Sequence, residues 1–365
     1  MRRLVGTLLC LSALAALATI GCESSSSSGG SNSKTGSVTR LAGGGATFPA
    51  PIIEEWAHKY KELKGVDVDY QAKGSGNGIQ QMTMQTIQFG CSDAPMKKAA
   101  LDLALQTGGE VIHIPIIMGP VVPAYNLPGI DKPLNFSGAL LADIYLGKIK
   151  KWNDPALTSL NPGVNLPDVE ISPIYRAEDS GTTNIFKEFL AKSSPEFKST
   201  VGVSVSATWP KGVGTGERGN DGIAGRVKNS AGALGYVELS YAKGNGLQFG
   251  AVRNRAGKAI LGTPEGVTAA AEKAMTVKQE TEPYSLHELT FSLTDADGDD
   301  SYPISGMSYC VIYKRQKSDV GRALKDFLTW ATHDGQAMAT KLHYAPLPAS
   351  LVKKIEARLE QIELN

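Results

Sequence analysis

Three short turns in the sequence combine hydroxyl side chains with glycines, aromatic residues or proline, and each precedes a predicted helix. They are Ala46-Thr47-Phe48-Pro49, Lys73-Gly74-Ser75-Gly76-Asn77-Gly78 and Glu178-Asp179-Ser180-Gly181-Thr182-Thr183. The first turn of a helix has unpaired N–H donors and a partial positive charge, and together these bind anions. For any single turn, plain helix capping by Ser or Thr is the commoner explanation. The recurrence in three turns makes one shared anion site a reasonable hypothesis.

Two charged residues define the chemistry of such a site more closely. Arg176 precedes Ser180 by four residues, and a guanidinium can hold an oxyanion through two parallel hydrogen bonds. Asp93 would repel a bare anion, but its carboxylate can accept a hydrogen bond from an anion that keeps a proton. The alternatives are a surface ion pair between Arg176 and Glu178 and a turn or cap role for Asp93. Spacing alone favours these alternatives.

The sequence lacks the common signatures of nucleotide binding, metal binding and catalysis. It has no G-x-x-x-x-G-K-[ST] loop, and Gly43-Gly44-Gly45 does not fit the dinucleotide fingerprint. The acidic run from Asp295 to Asp300 lacks the glycine and glutamate of an EF-hand and is interpreted as a solvated loop. A phosphatase would need an activated nucleophile or a metal cluster, and no histidine adjoins the Ser180 turn. A net charge of +1 argues against nucleic-acid binding. We therefore expect no enzyme activity, no metal and no cofactor.

The elements that would position these residues alternate between strand and helix from Val38 onward. One predicted helix face carries Ile52, Ile53, Trp56, Tyr60 and Leu63, and a second predicted helix contains Ile79, Met82 and Ile87. This alternation predicts parallel-rich α/β sheets. The strand-rich segments near 113–126 and 303–313 can act as crossovers between two lobes. One lobe would then comprise 38–118 plus 306–365, and the other 119–305.

The N-terminus indicates export. Arg2 and Arg3 precede an apolar run that ends at Gly21-Cys22, which is the pattern of a secretory signal peptide covering residues 1–21. An uncleaved membrane anchor is the alternative. Gly21-Cys22 resembles a bacterial lipobox, in which the cysteine becomes the lipidated first residue, although Thr19 stands where leucine is usual. The Ser/Gly-rich residues up to 37 would tether Cys22 to the folded body.

Cys10 would leave with the signal peptide and Cys22 would carry lipid, so that two cysteines, Cys91 and Cys310, would remain available for pairing. Cysteines in an oxidising compartment can pair, but sequence alone does not show whether these two are close enough. They have no neighbouring histidines that would complete a zinc site. The sequence therefore leaves open whether Cys91 and Cys310 form a disulfide or remain free thiols.

The order and spacing of several segments give the chain a family resemblance. GGGATFPAPIIEEWAHKY, DYQAKGSGNGIQQ, FGCSDAP, DIYLGKIKKWNDPA, YRAEDSGTTNIF, GNDGIAG, GALGYVE and YAPLP together resemble the periplasmic phosphate-binding proteins of high-affinity phosphate ABC transporters. The resemblance extends from about Leu41 to about residue 358. It implies a type II periplasmic-binding fold, with two α/β lobes, a two-strand hinge and a ligand buried in the cleft. It also implies a monomer, anchored to the membrane here by lipid, that delivers inorganic phosphate to a permease.

The resemblance also implies which residues hold phosphate. The family's binding positions fall here on Thr47, Phe48, Ser75, Asp93, Arg176, Ser180, Gly181 and Thr182. The sequence departs from the family at Glu178 and Asp179, where Asp-Gly is common. Glu178 can still orient Arg176, whereas Asp179 places a second acid beside the site.

The protonation of the ligand decides between the candidate anions. Phosphate keeps at least one proton near neutral pH and can donate to Asp93, whereas sulfate and molybdate keep none. A site built around a ligand hydrogen rejects an analogue lacking it by up to about 10⁴–10⁵. Arsenate is nearly isosteric with phosphate and is protonated alike, so it remains an alternative ligand. Sulfate, molybdate or a phosphate ester are weaker alternatives.

Overall fold

The computed structural model of the protein describes residues 38–365. The strands are β1 Arg40–Gly45, β2 Asp67–Ala72, β3 Phe89–Ser92, β4 Val111–Tyr125, β5 Asn135–Phe136, β6 Ser172–Arg176, β7 Thr215–Glu217, β8 Ala233–Glu238, β9 Gln248–Phe249, β10 Ala251–Arg253, β11 Ala259–Ile260, β12 Ser305–Tyr313, β13 Arg315–Gln316 and β14 Glu363–Leu364. The helices are α1 Ala50–Lys64, α2 Ser75–Thr83, α3 Lys98–Thr107, α4 Gly138–Tyr145, α5 Pro155–Leu160, α6 Gly181–Ser193, α7 Pro195–Thr200, α8 Gly219–Asn229, α9 Leu239–Gly244, α10 Pro264–Ala274, α11 Ser318–Thr332 and α12 Ala349–Leu359. Short 3₁₀ turns cover Tyr284–Leu286, Asp334–Met338 and Thr340–Leu342.

Most of the predicted helix faces are confirmed, and two details are wrong. In α1 the residues Ile52, Ile53, Trp56 and Tyr60 are buried, but Leu63 is 52% exposed because it lies in the last turn, next to the left-handed Gly65 that ends the helix. Ile87 lies outside α2, which ends at Thr83 before Gln85 adopts a positive φ of 58°. The backbone turn at Gln85 interrupts the helix that the apolar spacing suggests.

The long strand β4 connects two halves of one sheet, whose order is β2-β1-β3-β12-β4-β8-β6-β7. Residues 111–120 of β4 pair antiparallel with β12, whereas residues 121–125 pair antiparallel with β8. On either side, β2-β1-β3 and β8-β6-β7 are parallel. This is the predicted α/β fold class. The switch of partner within β4, together with β12, supports our proposal of lobes that comprise 38–118 plus 306–365 and 119–305.

The core follows the sheet. Every residue of β4 and of β12 is buried, and for β4 this explains the long apolar run in its sequence. The described residues, 38–365, belong to one compact unit. Within residues 38–365 the structure contains no helix that is long and apolar enough to cross a bilayer. The predicted signal peptide, Cys22 and the linker to residue 37 lie outside the described residues.

Candidate functional site

The carboxyl ends of the parallel strands carry the residues singled out in the sequence. Thr47 and Phe48 follow β1, Ser75 follows β2, and Asp93 follows β3 directly. On the other half of the sheet Arg176 ends β6, and the turn after it leads into α6. Loops at the carboxyl ends of parallel strands form the usual ligand crevice of open α/β sheets. The fold therefore brings the two groups of residues toward one region.

The two groups are in contact. The Gly181 amide donates to Ser75 Oγ over 3.0 Å, and the Thr182 hydroxyl donates to Asp93 Oδ2 over 3.4 Å. The Gly76 amide also donates to the Asp179 carbonyl over 3.2 Å. All eight predicted residues are buried: Thr47, Phe48, Ser75, Asp93, Arg176, Ser180, Gly181 and Thr182. The structure thus brings the two groups together at one buried junction rather than scattering the residues over the surface.

Arg176 forms a buried ion pair with Glu178. The guanidinium donates from both Nε and Nη2 to Glu178 Oε1, with the Nε contact at 2.9 Å, and the Gly219 amide donates to the same oxygen over 3.0 Å. The Arg176 side chain is 1% exposed and that of Glu178 is 12% exposed, so the alternative of a surface pair is wrong. Removing one partner from such a pair leaves an uncompensated buried charge. Glu178 therefore holds the guanidinium in place, and Nη1 is left 3.5 Å from the Thr182 hydroxyl.

Asp93 is a buried carboxyl group whose pKa is raised toward neutral pH. Burial raises its pKa from 3.8 to about 7, although hydrogen bonds from Ser308 and Thr182 and the charge of Arg176 act in the opposite direction. The Ser308 hydroxyl donates to Oδ1 over 2.8 Å, and Thr182 meets Oδ2. Asp93 is not the N-cap residue of the neighbouring helices α3 and α6, whose N-caps are Lys97 and Ser180, so the alternative of a local cap role is wrong. Near neutral pH this group can either accept or donate one proton.

The alternative that Ser or Thr merely caps the helix after each turn is correct for one of the three turns and wrong for the other two. Ser180 does cap α6, because its Oγ accepts from the Thr183 amide over 3.2 Å. By contrast, the residues before α1 and α2, Pro49 and Gly74, make no side-chain cap. Thr47 instead accepts from the Asn220 side-chain amide over 2.9 Å and keeps its own hydroxyl hydrogen for another acceptor. Two of the three turns therefore hold their hydroxyls free of local capping.

Two residues of this region were missed by sequence reasoning. Asn220, which is fully buried, donates to both Thr47 Oγ1 and Thr182 Oγ1, at 2.9 and 3.3 Å, and so connects the two groups. Its Oδ1 accepts from the Glu238 amide over 3.0 Å, which fixes the orientation of the side chain. Its position next to the glycine that starts α8 was a usable signal. Ser308 lies within the buried strand β12, and no motif in the sequence marks it as a site residue.

Residues 38–365 contain no group of three or more His, Cys, Asp or Glu side chains placed to hold a metal ion. The polar atoms that converge here are hydroxyls, amides, one guanidinium and one carboxyl group of intermediate pKa. This set of groups can replace the hydration of a small oxyanion from many sides. The carboxylate of Asp93 can accept a hydrogen bond from a protonated oxygen of that ligand.

Comparison with known proteins places this geometry in context. The family model described as a PBP superfamily domain matches residues 29–334. The phosphate-binding protein PstS of Pasteurella multocida is 41% identical over 87% of this chain and 89% of its own length. PstS of Haemophilus influenzae is 39% identical, over 87% and 92%.

Solved structures share the fold. A high-affinity periplasmic phosphate-binding protein bound with phosphate has a TM-score of 0.68 at 19% identity, covering 87% of this chain and 93% of its own. A phosphate-binding protein from Stenotrophomonas maltophilia has a TM-score of 0.66 at 20% identity, covering 88% and 94%.

Proposed function

Because the chain belongs to the PstS family of phosphate-binding proteins, within the PBP superfamily, we propose that it captures inorganic phosphate outside the cytoplasm for import by an ABC transporter. It is a binding protein rather than an enzyme. The proposed ligand shell is the set predicted from sequence: Thr47, Phe48, Ser75, Asp93, Arg176, Ser180, Gly181 and Thr182. We add Asn220 and Ser308 as residues that orient this shell.

One observation carries the proposal: a buried cation and a buried carboxyl group meet at the same hydroxyl. Thr182 Oγ1 lies 3.5 Å from Arg176 Nη1 and 3.4 Å from Asp93 Oδ2. An anion held there would take hydrogen bonds from the guanidinium and give one to Asp93. A site for a fully deprotonated anion would have no use for the carboxylate, which would repel it. The pairing therefore favours phosphate over sulfate and molybdate.

Arsenate fits the same argument, because it carries a proton at neutral pH and matches phosphate in shape. No described contact separates the two anions. Arsenate is thus the second candidate ligand for this site, and competition between the two should be direct.

Export and anchoring complete the proposal. The signal peptide of residues 1–21 would be removed, Cys22 would carry lipid, and residues 23–37 would tether the folded body to the membrane as a monomer. Closure of the cleft would be the state that the permease recognises. Mass spectrometry of the mature protein should find a lipid-modified Cys22 at the N-terminus, and an unmodified Cys22 would contradict the anchor.

Calorimetric titration tests the binding function. We expect phosphate to bind at one site and sulfate to bind more weakly by up to about 10⁴–10⁵. The exposed Asp131→Asn variant serves as a control that should bind as the wild type does. Absence of a phosphate signal, or equal affinity for sulfate, would contradict the proposed function.

A further inference from the structure

Cys91 and Cys310 lie directly opposite each other on neighbouring strands. β3 and β12 run antiparallel, with the register Tyr309 to Ser92, Cys310 to Cys91 and Val311 to Gly90. Opposite residues of an antiparallel pair have Cα atoms about 4.5–5.5 Å apart and side chains on the same face. Disulfides occur at Cα separations of about 4.4–6.8 Å. The backbone therefore already has a spacing that a disulfide needs.

Both cysteines are free thiols in the structure, and both are shielded from solvent. Cys91 is 0% exposed and Cys310 is 1% exposed. Burial, and after it the adjoining Cys91 thiol, raise the pKa of Cys310 well above its usual value. Thiol–disulfide exchange needs a thiolate that the oxidant can reach. The folded dithiol should therefore resist oxidation, and a bond between the two sulfurs has to form before β12 docks against β3.

We propose that Cys91 and Cys310 form a disulfide as the chain folds in an oxidising compartment. The oxidant is a thiol–disulfide oxidoreductase in its disulfide form. The Cys91 thiolate attacks that disulfide to give a mixed disulfide, and the Cys310 thiolate then displaces the oxidoreductase. One protein disulfide forms, and the oxidoreductase leaves as a dithiol with the two electrons and two protons. The proposed function enters only through the compartment.

The bond would act on the strand pair that carries Asp93. Ser92 and Asp93 follow Cys91, Ser308 precedes Cys310 by two residues, and the Ser308 hydroxyl donates to Asp93 Oδ1 over 2.8 Å. A covalent link next to this contact holds the two strands in register. Since β3 and β12 are neighbours in one half of the sheet, the link does not cross the cleft and leaves closure free.

The test compares three samples of the full chain: exported with its own leader, retained in the cytoplasm, and refolded from the reduced state with oxidised glutathione. Each is denatured and alkylated with and without reductant, and its peptides are mapped. We expect a linked Cys91–Cys310 peptide in the exported and refolded samples and two alkylated thiols in the retained one. Reduction of the exported protein should lower its melting temperature by about 5 °C or more. Phosphate affinity should change by less than about twofold.

The Cys91→Ser/Cys310→Ser double variant is the matched control, and its melting temperature should not respond to reductant. Free thiols at both positions in the exported and refolded samples, or linkage of either cysteine to another partner, would overturn the proposal. Free thiols in the exported sample alone would overturn the disulfide in the cell and indicate a reducing location. Titration of the same samples with phosphate distinguishes either result from a failure of the proposed binding function.

Discussion

The substitution Asp93→Asn tests the role of the buried carboxyl group, because it keeps the shape and removes the charge. The asparagine oxygen can still accept from a protonated phosphate oxygen, but without charge assistance. Hydrogen bonds to charged groups contribute about 1.5–3 kcal/mol, and neutral ones about 0.5–1.5 kcal/mol. The variant should therefore bind phosphate about 5- to 30-fold more weakly. Sulfate should bind more tightly, since the repelling charge is gone and an amide N–H can face it.

Selectivity measures this effect better than affinity does. We expect the ratio of phosphate to sulfate affinity, measured by calorimetry at pH 7.5, to fall by about 20-fold or more, because phosphate loses affinity and sulfate gains about fourfold when it no longer needs a protonated Asp93. Asp131→Asn should leave the ratio unchanged. If Asp93→Asn left sulfate affinity and selectivity at the wild-type values, Asp93 would not be the acceptor that excludes unprotonated anions.

The same variant has a consequence for stability without ligand. The pKa of Asp93 is raised from 3.8 to about 7 on folding, so the folded state holds the proton more tightly than the unfolded state. Stability from this group is complete below pH 3.8 and is lost as pH rises through about 7. Between pH 5 and pH 8 the loss amounts to about 2.5 kcal/mol.

Asp93→Asn should lack that loss, so its stability relative to wild type should rise over this interval in denaturant unfolding. Glu238, whose pKa burial raises to about 8, titrates in both proteins and cancels in the difference. A constant difference across the interval would show that Asp93 is not protonated on folding.

The remaining predictions concern the cation, the closure contact and pH. Arg176→Ala should weaken phosphate binding by roughly 30-fold or more, because truncating one partner of a buried charged pair costs about 2–5 kcal/mol. Arg255 lies in a surface ion pair, so Arg255→Ala should leave the dissociation constant measured by calorimetry unchanged. Gly76→Ala should weaken phosphate binding about tenfold or more without lowering the melting temperature, because the added Cβ would lie 2.5 Å from Asp179 Cβ in the closed arrangement. The control is Gly225→Ala, which should bind phosphate normally because no atom lies within 4 Å of its added Cβ. Wild-type phosphate binding by Arg176→Ala would place Arg176 outside the site, and wild-type binding by Gly76→Ala would place Gly76 outside the closing interface. Sulfate, which needs protonated Asp93, should bind about tenfold more weakly at pH 8 than at pH 6, and a flat profile in titrations would contradict a pKa near 7.

The residues of the site could be predicted from the sequence more completely than the hydrogen bonds between them. Turns at strand ends identified Thr47, Ser75 and Ser180 because hydroxyl and glycine residues before helices are visible locally. Which of them cap a helix was not visible, since Ser180 and Ser75 have the same local chemistry and only Ser180 caps. That distinction depends on residues brought in from a distant part of the chain, such as Gly181, whose amide donates to Ser75 Oγ.

Other features depend on tertiary contacts and had weaker signals. Ser308 looks like one polar residue in a buried strand until β12 is paired beside β3, where its hydroxyl reaches Asp93. The ion pair of Arg176 and Glu178 could be predicted from spacing, but its burial could not, because residues distant in the sequence, at Gly219 and Gly74, lie against Glu178. The fold class followed from the alternation of elements, and the long apolar run of β4 is typical of a strand buried on both faces.

A crystal structure of the protein with phosphate tests the central claim most directly. The account predicts one tetrahedral anion in the closed cleft, with the guanidinium of Arg176, the hydroxyl of Thr182 and the carboxyl group of Asp93 each about 2.7–3.1 Å from an anion oxygen. Residues from both lobes should contact that single anion. An anion bound elsewhere, or a phosphate contacted by only one lobe with Asp93 turned away from it, would contradict the account.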